Sequence, residues 1–129
     1  MNLSFNFNIE VDSDRKVVIA KIYGIWKKET AVEYHEEYKE QVQPLIKGKW
    51  AKLTNLTNWK SSYPDIVEVL GEHMQWCHDN GAVYSVYAID NPVTLKQLKA
   101  MIEKSNIGDS VKIFGTLKEG DKYLTQNGF

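Results

Sequence analysis

The apolar residues along the chain change their spacing several times, and each spacing predicts a different element. Near the N-terminus Phe5, Phe7, Ile9 and Val11 alternate with polar residues, and the apolar segment "KVVIAKIYG" follows a polar "DSDR" turn. A period of two is typical of a half-buried strand, because successive side chains of a strand point to opposite faces. These segments therefore predict an antiparallel hairpin whose second strand ends at Gly24.

The spacing then changes to three or four, as one face of a helix requires. This pattern runs from Ala31 to Ile46, and Pro44 is expected to distort the last turn of the predicted helix. The segment "KWAKLTNLT" follows, and its main apolar residues, Trp50, Leu53 and Leu56, predict a third strand.

The rest of the chain continues the alternation of helix and strand. Apolar residues from Ile66 to Cys77 predict a second helix, which Gly81 ends where a left-handed residue is needed. "AVYSVYAID" predicts a buried strand, Leu95 to Ile102 a third helix and "SVKIFGT" a last short strand. "LKEGDKYLTQN" predicts a weak terminal helix that Gly120 interrupts.

The order of elements, ββαβαβα and then a short strand and a terminal helix, predicts an α/β fold with a mixed sheet flanked by helices. The strands after the hairpin alternate with helices, which implies parallel neighbours joined by right-handed crossovers. No internal repeat, low-complexity segment or linker interrupts the 129 residues. We therefore expect one domain, residues 1–129.

Composition narrows the class of protein. The net charge is −1, Arg15 is the one arginine, and the 16 basic residues are scattered, so we expect no nucleic-acid partner. Cys77 is the single cysteine, which excludes an internal disulfide and every Cys-x-x-Cys pattern. The N-terminus lacks a basic start and a continuous apolar run, so we expect no signal peptide. No segment is as long and apolar as a membrane span. We therefore expect a cytoplasmic protein, and we predict no cofactor.

Each predicted helix begins at a sequence that fits a capping box. In this motif a serine or threonine and the side chain three residues later satisfy free backbone N–H groups reciprocally. Because one device explains every helix start, we interpret Ser62 as the cap of the second helix, with Pro64 in its first turn. The four pairs are Thr30 with Glu33, Ser62 with Asp65, Thr94 with Gln97 and Thr116 with Glu119.

Ser61 is not needed for this predicted cap. It would lie just outside the helix, near the positive end of the helix dipole and next to Lys60, where a phosphate group is stabilised. Ser61, and with it Ser62, is therefore a candidate phosphorylation site. The alternative interpretation of Ser61 is a solvated loop serine.

Several segments resemble the SpoIIAA-like branch of the STAS superfamily, the domain of anti-sigma-factor antagonists. They are the Ser-Ser pair at the predicted second helix, "YGIWKKETAVEYHEEY", "KWAKLTNLTNW", the strand that ends in "AID", and the closing "FGTLKEGDKYL". The resemblance covers the chain from about Ile9 to Leu124. Phosphorylated members of the family carry Asp-Ser-Ser-Gly at the helix start, whereas here Lys60 and Tyr63 flank the two serines.

The resemblance implies a regulatory or ligand-binding module without catalytic activity, in which four or five strands are flanked by helices. One hypothesis is partner switching, in which a phosphate on Ser61 repels or docks a regulatory protein. The alternative is a carrier that holds a small apolar or lipid-like ligand between the helices and the sheet. A third hypothesis, a small hydrolase, would need His35 or His73 in a cleft at the strand ends. An exposed sheet edge would also permit a homodimer.

Two tryptophans are predicted to lie in loops at strand ends, where ligands of parallel sheets bind. Trp26 follows the second predicted strand and Trp59 the third. We expect them to form a ligand or partner site, or otherwise only to cover the end of the sheet. The residues of this predicted site are Trp26, Trp59, Lys60, Ser61, Ser62, Tyr63, Asp90 and Asn91.

The remaining candidates for chemistry are histidine and cysteine side chains. His73 and Cys77 lie four residues apart on one predicted helix, a spacing that can hold a metal, but the sequence suggests no third ligand. His35, beside Tyr34 and Tyr38, is expected to pack on the first helix. Because a third ligand is lacking, we predict no metal site. Neither serine of the pair lies in Gly-x-Ser-x-Gly, so we predict no enzyme either.

Overall fold

The computed structural model describes residues 6–129, apart from the side chain of Ser61, so the predicted strand residue Phe5 lies outside the described residues. The strands are β1 (Phe7–Asp12), β2 (Val17–Trp26), β3 (Trp50–Ser62), β4 (Ala82–Ala88) and β5 (Val111–Phe114). The helices are α1 (Lys28–Gln41), α2 (Ile66–Asp79), α3 (Pro92–Lys104) and α4 (Leu117–Gln126). Short 3-10 helices occur at Gln43–Leu45 and Gly108–Ser110.

The strands form a single sheet in the order β1-β2-β3-β4-β5. β1 and β2 are antiparallel, whereas β2, β3, β4 and β5 run parallel to one another. The predicted hairpin and the predicted parallel neighbours are therefore confirmed. The fold is the mixed α/β sheet flanked by helices that the order of elements predicts.

Helices cover both faces of the sheet, and β3 is its central strand. Side chains of α1, α2 and α3 pack on one face in the larger core, which includes Trp50 and Met74. α4 packs on the other face, where Leu124 joins Val86 in a smaller core. Because both faces of β3 are covered, its residues 50–54 are all buried.

β2 and β3 are longer than predicted. β2 does not end at Gly24, whose φ is 68°, but continues to Trp26. β3 does not end at Thr57 but continues to Ser62, because its last residues pair with the end of β2, where Trp26 lies opposite Ser62. The serine pair therefore belongs to a strand and not to a loop before α2.

The predicted capping boxes of α1 and α2 are wrong. α1 begins after Lys27 without a side-chain cap, so that Thr30 lies inside its first turn. Asp65 occupies the N-cap position of α2 and makes no side-chain cap either. Ser62 does not cap α2, because the extension of β3 holds it in the sheet. Gly81 follows the end of α2 with a φ of 109°, as predicted.

α3 and α4 are capped by side chains, but only α4 as predicted. Asn91, not Thr94, caps α3 by accepting a hydrogen bond from the backbone N–H two residues later, at 2.9 Å. Pro92 occupies the first helical position, where its missing N–H costs nothing, and this moves the start of α3 ahead of Thr94. Oγ1 of Thr116 caps α4 by accepting the backbone N–H of Glu119 at 3.2 Å.

Two further details of the helices differ from the prediction. α1 ends at Gln41, and Pro44 lies in a separate 3-10 turn rather than in the last turn of α1. α4 runs through Gly120 without interruption. A Cβ atom on Gly120 would lie 2.9 Å from Cγ1 of Val86 and 3.2 Å from Cδ1 of Leu53. The glycine therefore allows α4 to pack closely on the sheet.

Candidate functional site

The two tryptophans of the predicted site are buried near the carboxyl ends of β2 and β3. Trp26 is fully buried, and only 3% of Trp59 is exposed. Nε1 of Trp26 donates a hydrogen bond to the carbonyl oxygen of Tyr23 at 2.9 Å, and Nε1 of Trp59 donates to Oγ of Ser62 at 2.9 Å. Both indoles are therefore core residues whose N–H groups are satisfied.

Ser62 is fixed in the same corner of the fold. It is only 7% exposed, and its Oγ is the acceptor for Trp59. Its carbonyl oxygen accepts a hydrogen bond from Nε2 of Gln97 at 2.9 Å, which fastens α3 to the end of β3. A phosphate on Oγ of Ser62 would have to displace the indole N–H of Trp59.

The other residues of the predicted site are distributed over the surface. Lys60, Tyr63 and Asp90 are exposed, and Asn91 is occupied in capping α3. The backbone N–H of Tyr63 donates to the carbonyl oxygen of Trp26 at 3.2 Å. Within residues 6–129, no hydrogen bond or ion pair joins Asp90 or Asn91 to this corner. The structure thus brings Trp26, Trp59, Ser62 and Tyr63 together, without a hydrogen bond or ion pair among the described residues from this group to Asp90 or Asn91.

A cavity of about 20 Å³ lies behind the two tryptophans, between the sheet and helices α1, α2 and α3. This volume is enough for about one water molecule. Most of the wall consists of isoleucine, leucine, methionine and tryptophan side chains. We call this space the core cavity. The side chains in its wall that carry ammonium, imidazole or hydroxyl groups are Tyr34, Lys52, Thr54, His73 and Tyr87.

Lys52 is the unexpected member of the core cavity. It lies on β3 and is only 1% exposed. Its Nζ lies 3.2 Å from Nε2 of His73 and donates to the hydroxyl oxygen of Tyr87 at 3.4 Å. Nζ also lies 5.4 and 5.7 Å from the ring centroids of Tyr38 and Tyr87, within the range of cation–π attraction. Neither ion pair in the described part of the chain includes Lys52, so the ammonium group has no carboxylate partner there.

Two histidines connect Lys52 to the surface. Nδ1 of His73 lies 2.9 Å from Nδ1 of His35, which is partly exposed. Because an ammonium group only donates, His73 accepts from Lys52 through Nε2, carries its proton on Nδ1 and donates to His35. Burial lowers the pKa of both histidines, and that of His73 falls well below its ordinary value, with the charge of Lys52 as a further cause. Both imidazoles are therefore neutral at neutral pH.

Cys77 and Tyr87 do not supply a negative charge at neutral pH. Sγ of Cys77 lies 3.7 Å from Nε2 of His73, but burial raises the pKa of this thiol to about 11. Burial also raises the pKa of the Tyr87 hydroxyl. The pKa of Lys52 itself is raised from its ordinary value: burial lowers it, but the contributions of Cys77 and Tyr87 together outweigh burial. The ammonium group therefore lies among neutral partners.

The pair formed by Cys77 and His73 is also not an activated nucleophile. A thiolate is the reactive form of cysteine, and catalytic cysteines have a lowered pKa and partial exposure. Cys77 is fully buried and its pKa is raised to about 11. This dyad therefore does not support the hydrolase hypothesis.

A hydroxyl group in the cavity wall has no hydrogen-bond partner among the described residues. Thr54 is buried, and its Oγ1 makes no hydrogen bond. Burial raises the pKa of the neighbouring Tyr34 well above its ordinary value, and Thr54 lowers that pKa only slightly. No hydrogen bond of normal geometry joins Thr54 to Tyr34. Most buried hydroxyl groups are hydrogen-bonded. Thr54 is therefore a polar group that an occupant of the cavity can satisfy.

For metal ligands and membrane-spanning helices, the structure informs on residues 6–129 only. His73 and Cys77 lie close together, but in that range no group of three or more histidine, cysteine, aspartate or glutamate side chains could hold a metal ion. No helix described by the structure is long and apolar enough to cross a membrane.

The architecture is that of the SpoIIAA-like fold. Among solved structures, the chain is similar to an uncharacterised protein of the DUF3478 family from Shewanella loihica PV-4, which is described as having a SpoIIAA-like fold. The TM-score is 0.65 at 13% sequence identity, and the match covers 96% of this chain and 98% of that chain. No family model matches the sequence, and no curated protein matches it. The chain therefore has a SpoIIAA-like fold, as its sequence resemblance predicts.

The polar side chains of the core cavity are absent from the predicted site. Lys52 and Thr54 lie on β3 and Tyr87 lies on β4, all beneath the helices rather than beyond the strand ends. One sequence signal could have identified Lys52. The middle of a strand with parallel neighbours on both sides is covered on both faces, so a lysine there is buried whichever way it points.

Proposed function

We propose that the protein binds a small, largely apolar molecule in the core cavity, as a carrier or sensor without catalytic activity. The observation that supports this most directly is Lys52, whose ammonium group lines an otherwise mostly apolar cavity with no carboxylate partner among the described residues. Removing such an ion from water costs several kcal/mol even after the protein relaxes. Charged groups retained in the interior at such a cost are candidates for functional sites.

The core cavity must enlarge before it can hold a ligand. About 20 Å³ accommodates one water molecule, whereas ligand pockets usually have at least about 300 Å³. Leu70 and Met74 of α2, with Leu98 and Met101 of α3, form the wall opposite the sheet. Methionine has three rotatable bonds and fills irregular spaces easily. We therefore expect a ligand to displace the side chains of α2 and α3 away from the sheet.

Partner switching through Ser62 has less support from the geometry. Ser62 is buried, accepts a hydrogen bond from Trp59 and lies on β3. A phosphate is favoured at a helix N-terminus, and Ser62 does not occupy that position in α2. Because Oγ of Ser62 already accepts from Trp59, Ser61 is the serine at which a phosphate should be sought.

Fluorescence titration with 1-N-phenylnaphthylamine, a neutral apolar dye, tests the proposal. The wild-type protein should bind one dye molecule saturably. Leu98→Phe places a larger side chain in the cavity wall and should weaken binding by about tenfold or more, the equivalent of a modest overpacking cost. Val93→Phe, at an exposed position of the same helix, should bind the dye as the wild type does.

Mass spectra of the protein purified from its own host provide a second test. Extra mass that is present under native conditions and absent after denaturation would support a bound ligand. One phosphoryl group on Ser61 in the denatured spectrum would favour partner switching instead. If no extra native mass is found and the dye does not bind saturably, the proposal is wrong.

A further inference from the structure

We propose that the ligand of the core cavity is a carboxylic acid with an apolar body, and that Lys52, Thr54 and Tyr87 hold its carboxylate. This inference rests on the proposed function and names the chemical class of the ligand. Its basis is a set of hydrogen-bond donors that the sheet brings together on one face.

The register of β3 and β4 places the three side chains side by side. Lys52 and Thr54 are two residues apart on β3 and therefore point to the same face. Thr54 lies directly opposite Tyr87 of β4. All three residues line the core cavity, and Nζ of Lys52 is 3.4 Å from the hydroxyl oxygen of Tyr87. One small headgroup can therefore reach all three.

Each of these side chains has a donor that the rest of residues 6–129 leaves unused. An ammonium group has three N–H donors, and Lys52 directs one toward His73 and one toward Tyr87. Tyr87 accepts from Lys52, and its own O–H has no acceptor among the described residues. Oγ1 of Thr54 has no partner in that range either. A carboxylate has two oxygens with about four acceptor sites, enough for all three donors.

Charge favours an acid over a neutral or basic headgroup. The ammonium of Lys52 faces neutral His73 and neutral Tyr87, so the cavity lacks one negative charge. An ion pair formed there is stronger than one in water, because the surroundings have a low dielectric constant. The described wall contains no arginine and no second lysine. A single carboxylate therefore balances the positive charge of Lys52, whereas a doubly charged phosphate would leave one negative charge unpaired.

Binding of the acid needs no proton transfer within the cavity. A carboxylic acid has a pKa of about 4 in water, so at neutral pH it is already a carboxylate. Lys52 stays an ammonium group, and His73 stays neutral with its Nε2 accepting from Nζ of Lys52 at 3.2 Å.

Isothermal titration calorimetry with octanoic acid, octanol and octylamine tests this inference, because the three ligands differ only at the headgroup. The wild type should bind the acid about tenfold or more tightly than the alcohol, as a charged hydrogen bond implies, and the amine most weakly. Lys52→Met should bind the acid and the alcohol about equally. Lys60→Met, at an exposed position of the same strand, should keep the wild-type preference. Tyr87→Phe should reduce the preference, and it provides the comparison if Lys52→Met does not fold.

The outcomes separate this inference from the proposed function. Equal affinity of the wild type for the acid and the alcohol would overturn the inference, and the proposed function would stand. A retained preference for the acid in folded Lys52→Met would overturn it as well. If none of the three ligands binds but phenylnaphthylamine does, the inference is wrong and the cavity takes another class of apolar molecule. If the dye also fails to bind, the proposed function is wrong.

Discussion

His73 should make the stability of the protein depend on pH in a defined window. The ring is buried between Lys52 and His35, and its pKa is well below its ordinary value because of burial and the nearby charge of Lys52. In the unfolded chain a histidine has a pKa of about 6.5. Below that pH the unfolded chain binds a proton that the folded protein does not. The part of the free energy of unfolding that depends on neutral His73 is therefore present above about pH 6.5 and is lost as the pH falls below that value.

The size of this effect follows from the linkage between proton binding and folding. If the folded protein keeps His73 neutral, protonation of the unfolded chain at a pKa of about 6.5 removes about 2 kcal/mol of stability between about pH 7.5 and about pH 5. The loss approaches about 1.4 kcal/mol per pH unit at the acid end of this range. His35, whose pKa is also lowered by burial, adds to the loss in the same direction.

Urea unfolding followed by tryptophan fluorescence over this pH range measures the effect. His73→Gln keeps a hydrogen-bond donor and an acceptor but cannot be protonated, so its stability should fall by about 2 kcal/mol less than that of the wild type. His78→Gln, at an exposed position of the same helix, should follow the wild-type curve. The wild type and His73→Gln share all other side chains, so the contributions of those side chains cancel in the comparison. Equal losses for the wild type and His73→Gln would show that His73 is not held neutral, and the assigned hydrogen-bond chain would be wrong.

Three further variants test the packing around the site by urea unfolding. Gly120→Ala should lose up to about 2 kcal/mol: its new Cβ would lie 2.9 Å from Val86, at a cost of about 1–3 kcal/mol, and the higher helix propensity of alanine offsets about 1 kcal/mol. A gain in stability would refute the close approach of α4. Ser62→Ala should lose about 1–3 kcal/mol, because the buried N–H of Trp59 loses its acceptor, and an unchanged stability would contradict that bond. Arg15→Ala should lose less than about 1 kcal/mol, because the ion pair of 2.8 Å that it breaks with Asp121 is partly exposed. A larger loss would show that Arg15 anchors α4 more strongly than a surface ion pair does.

The kinds of element could be predicted from the sequence, because apolar period depends on backbone geometry alone. The alternation of strands and helices also predicts the parallel neighbours, which the sheet confirms. The ends of β2 and β3 could not be predicted in this way. Trp26 and Ser62 extend their strands because each pairs with the other, and a local pattern contains no information about a partner so far along the chain. The cap assigned to Ser62 fails for the same reason.

The candidate site was harder to predict, because the general rule for parallel sheets directs attention to the strand ends while the unusual side chains lie beneath the helices. Lysine side chains usually reach solvent, but the central position of β3 prevents this for Lys52, since helices cover both faces of the sheet. A lysine in such a strand needs partners from the facing helix, and α2 supplies His73. Which helix residue meets Lys52 depends on how α2 packs on the sheet, which no sequence spacing specifies. What the sequence does contain is the anomaly itself, a lysine in the middle of a doubly covered strand. No carboxylate of the described residues pairs with it, which is the reason to look for one in a ligand.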